Sequence, residues 1–179
     1  MRNIKDKWVI CLGAGKSQIS LIKKAKLLGF KVLAVDINCR SPGFGIADEK
    51  IIESTHNSKA IVAKIKGKHF SGLLARTTGN ALFTAADIIK DFSLLGINLN
   101  LAKIATSKSA LRQFCLANNI NIPYGISISS PHQLDKNKLK SYIVVKPDFT
   151  LVGKKSIKKV KLTNENLLHD AILLASSSS

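Results

Sequence analysis

The residues best placed to do chemistry form a run late in the chain. Lys146 closes the apolar stretch Tyr142–Val145 and is followed by Pro147, then by Asp148-Phe149-Thr150-Leu151-Val152-Gly153-Lys154-Lys155. A lysine on the end of a strand is aimed rather than loosely solvated. A glycine-bearing loop beside it can fold over phosphates, using backbone N–H groups and lysine charge. The alternative is an ordinary β-hairpin whose lysine-rich turn is only a solvated face. A second candidate is the turn Gly13-Ala14-Gly15, between an apolar strand and a helix. Free N–H groups and the helix dipole make such a junction an anion site, although tight packing of strand on helix needs the same glycines. Two nucleotide fingerprints fail there on spacing. The dinucleotide pattern wants a third glycine where this chain has Gln18, although Asp36 falls about where its ribose-binding acid would stand. The P-loop pattern is imitated by Gly15-Lys16-Ser17, but its leading glycine would fall on Ile10, inside the strand. A third candidate is Arg76, at a strand end before Thr77-Thr78-Gly79-Asn80. Ligands of open α/β sheets gather at that carboxyl edge, so Arg76 can meet a substrate carboxylate or phosphate, or stand solvated beside a helix cap.

Other chemistries are poorly supported. His56, His69, His132 and His169 are dispersed, without metal-ligand spacing. Cys11, Cys39 and Cys115 are too few and too scattered for a disulfide framework or a zinc site, and suit a reducing cytoplasm. Cys115 lies on an apolar helical stripe and is expected in the core. The formal charge is +17, but only four of the basic residues are arginines, the lysines are spread over the whole chain, and aromatic residues make up 6%. Bidentate readers and stacking platforms are therefore scarce, and specific nucleic-acid recognition is not expected. No apolar run is long enough to span a bilayer, and no signal-peptide pattern follows the charged start, so no membrane partner is expected.

These candidates need elements to hold them. Trp8–Leu12, Lys31–Val35, Ile51–Ile52 and Gly72–Ala75 read as strands. They alternate with helical patterns over Ile19–Leu28, Ser58–Lys66 and Gly79–Phe92. That alternation is the signature of a parallel α/β sheet. A second unit begins near Ala105: Ser107 N-caps a helix running to Asn118, and Asn118-Asn119 and Pro123 mark its end. Strands are predicted at Tyr124–Ile128, Tyr142–Lys146 and Ser156–Leu162, with a short helix from Pro131 to Lys140. A final helix, Asn164–Ala175, is expected to be capped by Thr163. The division is thus 1–104 and 105–179.

The order of these segments resembles that of ATP-grasp ligases. Val9–Gly15, Lys31–Asp36, Ala47-Asp48-Glu49, Gly72–Arg76 and Gly79–Ala86 are similar to their N-terminal, pre-ATP-grasp domain. Ser107-Lys108-Ser109-Ala110-Leu111-Arg112 looks like the lysine-bearing helix that opens their ATP-binding module. Asn119–Pro123 is similar to the turn after that helix, Val144-Val145-Lys146-Pro147 to the strand bearing a second lysine, and Gly153–Ile157 to the glycine-rich phosphate loop. Carbamoyl-phosphate synthase large chains, biotin carboxylases and amino-acid ligases share this order. The resemblance implies a Rossmann-like α/β domain followed by a small α+β first lobe.

By the same resemblance Lys108 contacts ATP near its α-phosphate. Lys146 bridges phosphates and reaches the adenine side, and Gly153, Lys154 and Ser156 line the phosphate loop. Two departures stand out: Ser107 where the family usually has Asp, and Lys154-Lys155 where glycine often stands. The implied reaction is carbamoyl-phosphate-synthase-like, joining a small carboxylate to an amine through an acyl phosphate with ATP and magnesium. The family's magnesium ligands lie in a second lobe. No such pattern follows Ala175, so no catalytic residue and no metal ligand is assigned here, and this chain alone is not expected to catalyse the reaction.

Overall fold

Four strands lie side by side in the order β3-β2-β1-β4, with β1 Trp8–Leu12, β2 Lys31–Asp36, β3 Glu49–Ile52 and β4 Phe70–Ala75. All three pairings are parallel. The computed structural model describes residues 7–135, 139, 141–149 and 156–177. The apolar runs that make β1 and β2 bury side chains on both faces, as strands inside a parallel sheet must. Ile10, Leu12, Leu33 and Val35 pack on one face against Ile61, Ile65, Ala85 and Ile88 of helices α2 (Ser58–Ile65) and α3 (Asn80–Asp91). Val9, Cys11, Val32 and Ala34 face the other way, against Ile22 and Ala25 of α1 (Ile19–Leu27). This layering over residues 1–102 is the Rossmann-like α/β arrangement expected from the sequence. Among the described residues no helix is long and apolar enough to cross a membrane.

Residues 103–179 form a second unit. The chain enters it along helix α4, Leu99–Thr106, which the sequence reading left unassigned. Asn98 caps α4 by accepting the Leu101 amide at 2.8 Å. Helix α5 spans Lys108–Ala117, and Ser107 caps it by accepting the Ala110 amide at 3.0 Å, as its sequence predicts. Its far end closes in a Schellman motif. Asn119 takes the left-handed conformation (φ 55°), and the Ile120 amide reaches back to the Cys115 carbonyl at 2.9 Å. Strands β5 (Tyr142–Val145) and β6 (Lys158–Lys161) pair antiparallel. Ile143, Val145 and Val160 pack against Leu168, Ala171 and Ile172 of α6 (Glu165–Ser176).

Four local expectations are corrected. Tyr124–Ile128 is not a strand. Its alternating apolar residues look strand-like, but it joins no sheet, and Ile128 instead packs on the α6 core. Among the described residues of Pro131–Lys140 the helical part is a single 3-10 turn, Pro131–Gln133; residues 136–138 and 140 lie outside the described residues. Helix α6 is capped by Asn164, whose side chain accepts the Leu167 amide at 3.1 Å, and not by Thr163. Cys115 is only half-buried, because α5 presents its apolar side outward and buries none of its residues.

Asp48 stitches the first unit. One carboxylate oxygen accepts the Lys26 ammonium at 2.6 Å and the other the Val32 amide at 2.8 Å, while its own amide donates to the Val32 carbonyl at 2.9 Å. It thus ties the end of α1 to the starts of β2 and β3. Partial burial works to raise its pKa, but the bonds from Lys26 and Val32 hold it below the usual carboxylate value. A depressed carboxylate contributes stability above its ordinary pKa of about 4, and that stability is lost as pH falls toward the folded value. Asp48→Asn should therefore lower unfolding stability by ~1 kcal/mol at neutral pH and make little difference near pH 2. Denaturant titrations at both pH values measure this; an equal loss at both would show that the charge of Asp48 plays no part.

Candidate functional site

In the first unit the chemistry-bearing residues collect at the carboxyl edge of the sheet. Gly13 has φ +89°, which favours glycine, and an added Cβ would lie 3.0 Å from the Gln18 side chain. Gly43 fits for a different reason: a Cβ there would stand 2.6 Å from the Ala14 carbonyl. The turn is bound tightly into its own fold. The Gly13 amide donates to the Val35 carbonyl at 2.7 Å, the Ala14 amide to Asp36 at 2.8 Å, and the Gly43 amide to the Ala14 carbonyl at 2.7 Å. Asp36, which stands about where a dinucleotide fold places its ribose acid, also accepts the Asn38 amide at 2.9 Å, so both its oxygens serve the backbone. Gly15 opens a 3-10 turn, Lys16–Gln18, leading into α1. Arg76 joins this group, because its guanidinium donates to the Ser17 carbonyl at 3.3 Å and its own carbonyl accepts the Gln18 side-chain amide at 3.1 Å. Gly13, Gly15 and Arg76 are therefore one neighbourhood. Two of the turn's three amides are occupied within the fold.

In the second unit, the start of α5 meets the end of β5. Lys108 is the first residue of α5, and Lys146 is exposed just past β5, before the buried Pro147. Asp148 links the two elements. Its Oδ2 accepts the Ser107 hydroxyl at 2.8 Å and its Oδ1 the Ser109 amide at 2.6 Å. Its carbonyl accepts both the Lys108 amide at 3.1 Å and the Lys108 ammonium at 3.2 Å. Ser107 also bridges Phe149 as an isolated antiparallel pair. Burial of the ammonium holds Lys108 below the usual lysine pKa; the Asp148 charge opposes this and the Lys146 charge adds to it. Partial burial works to raise Asp148, but the Ser109 amide, the Ser107 and Ser109 hydroxyls and the Lys108 charge keep it below the usual carboxylate range. Lys108 and Lys146 thus stand within electrostatic reach of each other. A desolvated ammonium with a second cation beside it favours an incoming anion.

Of the remaining candidates, Ser156 is buried just before β6, and Gly153 and Lys154 lie outside the described residues. Asp148 is the member that the motif reading passed over. Its partners stand about 40 residues away in the chain, a range at which a single sequence carries no signal. Among the described residues, no group of three or more His, Cys, Asp or Glu could hold a metal ion.

The folds of both units are matched in solved structures. The chain is similar to phosphoribosylglycinamide synthetase from Anaerococcus prevotii, with 22% identity over 93% of this chain and 42% of that one, and TM-score 0.67. It is also similar to N5-carboxyaminoimidazole synthetase from Staphylococcus aureus, solved with ADP, at 16% identity over 99% of this chain and 47% of that one, TM-score 0.76. An L-amino acid ligase from Bacillus licheniformis matches with 19% identity over 97% of this chain and 42% of that one, TM-score 0.70. No protein-family model matches the sequence, and no curated protein does. At these identities the likeness shows the fold, which is that of the matched part of these two synthetases and this ligase and agrees with the fold that the motif order implies. The chain spans under half the length of these solved chains.

The electrostatic contact between the two lysines can be measured without a ligand. Lys146→Met should raise the titration midpoint of the Lys108 ammonium toward the ordinary lysine value, followed by NMR of lysine-labelled protein. An unchanged midpoint would mean that the two groups are not neighbours.

Proposed function

We propose that this chain is the nucleotide-holding front part of an ATP-dependent carboxylate–amine ligase of the ATP-grasp type. The observation that carries the reading is the bonding of Lys108, at the start of α5, to Asp148, two residues past Lys146 at the end of β5. Two lysines and one carboxylate at this junction leave a net positive charge suited to a polyphosphate. The fold likeness supports it, since one of the similar synthetases was solved with ADP. In this reading Lys108 holds the α-phosphate side of ATP, and Lys146 bridges phosphates and reaches toward the adenine. Gly153, Lys154 and Ser156 belong to the loop covering the phosphates, and Gly13, Gly15 and Arg76 meet an anionic group of the substrate.

The reaction is transfer of the terminal phosphoryl group to a small carboxylate, releasing ADP, followed by attack of an amine on the acyl carbon and loss of phosphate. Magnesium bound with ATP would supply neutralisation of the triphosphate charge. The part assigned to this chain in this reading is holding and orienting the nucleotide. The carbamoyl-phosphate-synthase-like detail rests on the order of the lysine motifs alone.

Equilibrium titration of the purified chain with ATP tests the proposal. Saturable binding is expected, weakened at least about tenfold by Lys108→Met or Lys146→Met, and little changed by Lys23→Met, which removes an exposed charge elsewhere. Binding that survives both lysine changes but is lost on altering Gly13 or Gly15 would instead favour a non-catalytic phosphate-binding module. The absence of saturable binding would refute both readings.

A further inference from the structure

We propose that Asp148 is the positioning residue of this site: it clamps the first turn of α5 to the end of β5 and so fixes where the Lys108 ammonium stands relative to Lys146. The inference rests on the nucleotide reading above and adds to it a residue that neither motif contains.

The geometry carries it. Asp148 and Lys108 are 40 residues apart in sequence, so nothing local forces them together. Four hydrogen bonds nevertheless converge on Asp148, two on its carboxylate and two on its carbonyl, and all four donors belong to Ser107, Lys108 and Ser109. The first turn of α5 contains no acid of its own. A carboxylate at a helix N-terminus is favourable, and here it arrives from a different strand, so capping the helix also docks it. The buried Pro147 before it fixes φ and restricts how the strand can leave the sheet. A lysine ammonium sits on a flexible four-carbon stem, and its position is soft unless something holds it. Here a single carbonyl accepts from both ends of Lys108, its amide and its ammonium.

The arrangement also decides what meets the phosphate. The Ser109 amide, which a free helix start would offer to an anion, is already given to Asp148. Phosphate is therefore met by the two ammonium groups and not by helix amides. The Asp148 charge itself opposes an anion, so its benefit lies in its hydrogen bonds and not in its sign.

Two variants separate these roles. Asp148→Asn keeps acceptor oxygen at the clamp and removes the charge; Asp148→Ala removes both carboxylate bonds and, of the four, leaves only the two to the backbone carbonyl. With the full chain and ATP, Asp148→Ala should bind about tenfold more weakly, while Asp148→Asn should bind as tightly as the unaltered chain or more tightly. Without nucleotide, NMR titration of Lys108 should move in opposite directions: further down in Asp148→Asn, where the turn stays docked and a countercharge is gone, and back toward the ordinary lysine value in Asp148→Ala, where loss of the two carboxylate bonds loosens the turn and exposes the ammonium to water. Overturning results are an Asp148→Ala variant that binds ATP as well as or better than the unaltered chain, or a Lys108 midpoint that shifts the same way in both variants. If the unaltered chain fails to bind ATP, the nucleotide reading falls, and the Lys108 titration still decides the clamp.

Discussion

The second unit holds the start of α5 against the end of β5 with one carboxylate and one carbonyl of the same residue. Asp148 joins the N-terminus of α5 to the end of β5, and every feature of the candidate site depends on that join. It sets where Lys108 points and leaves Lys146 exposed beside it. It also takes up a helix amide that an anion would otherwise use. The wider unit supplies the rigidity, since β5 is held from below by the packing of Ile143 and Val145 on α6.

The first unit shows the opposite use of a similar motif. A strand, a glycine turn and a helix start make a natural anion cradle, yet here the turn is braced by Val35, Asp36 and Gly43. Gly13 is favoured by a positive φ, and Gly43, which packs on the turn, by a close backbone approach; neither reason involves a ligand. Gln18 lies against Gly13 and bonds the Arg76 carbonyl, where a dinucleotide fold would keep a third glycine. Arg76 also stands at this edge, and its bond to Ser17 keeps it beside the turn.

Much of this was legible in the sequence because burial on both faces of a parallel sheet leaves uninterrupted apolar runs. Trp8–Leu12 and Lys31–Asp36 were readable for that reason, and Ser107 as an N-cap because its chemistry is local. The failures have physical causes of the same kind. Tyr124–Ile128 alternates like a strand, but alternation does not supply a pairing partner. Helix α4 is short, and its cap, Asn98, sits in a run that reads equally well as a loop. Asp148 was invisible because its partners lie 40 residues away, and a contact at that range leaves no pattern in a single sequence. Lys108 and Lys146 were named as candidates from motif order; that they are electrostatic neighbours needed the fold.

The central claim is that these two lysines form one polyphosphate site. Amine acylation with and without magnesium ATP, mapped by mass spectrometry, tests it at every lysine of the chain at once. The account predicts that Lys108 and Lys146 lose reactivity together as ATP is added, over the same concentration range. Protection confined to Lys16 at the glycine turn, or protection of one of the pair without the other, would contradict it.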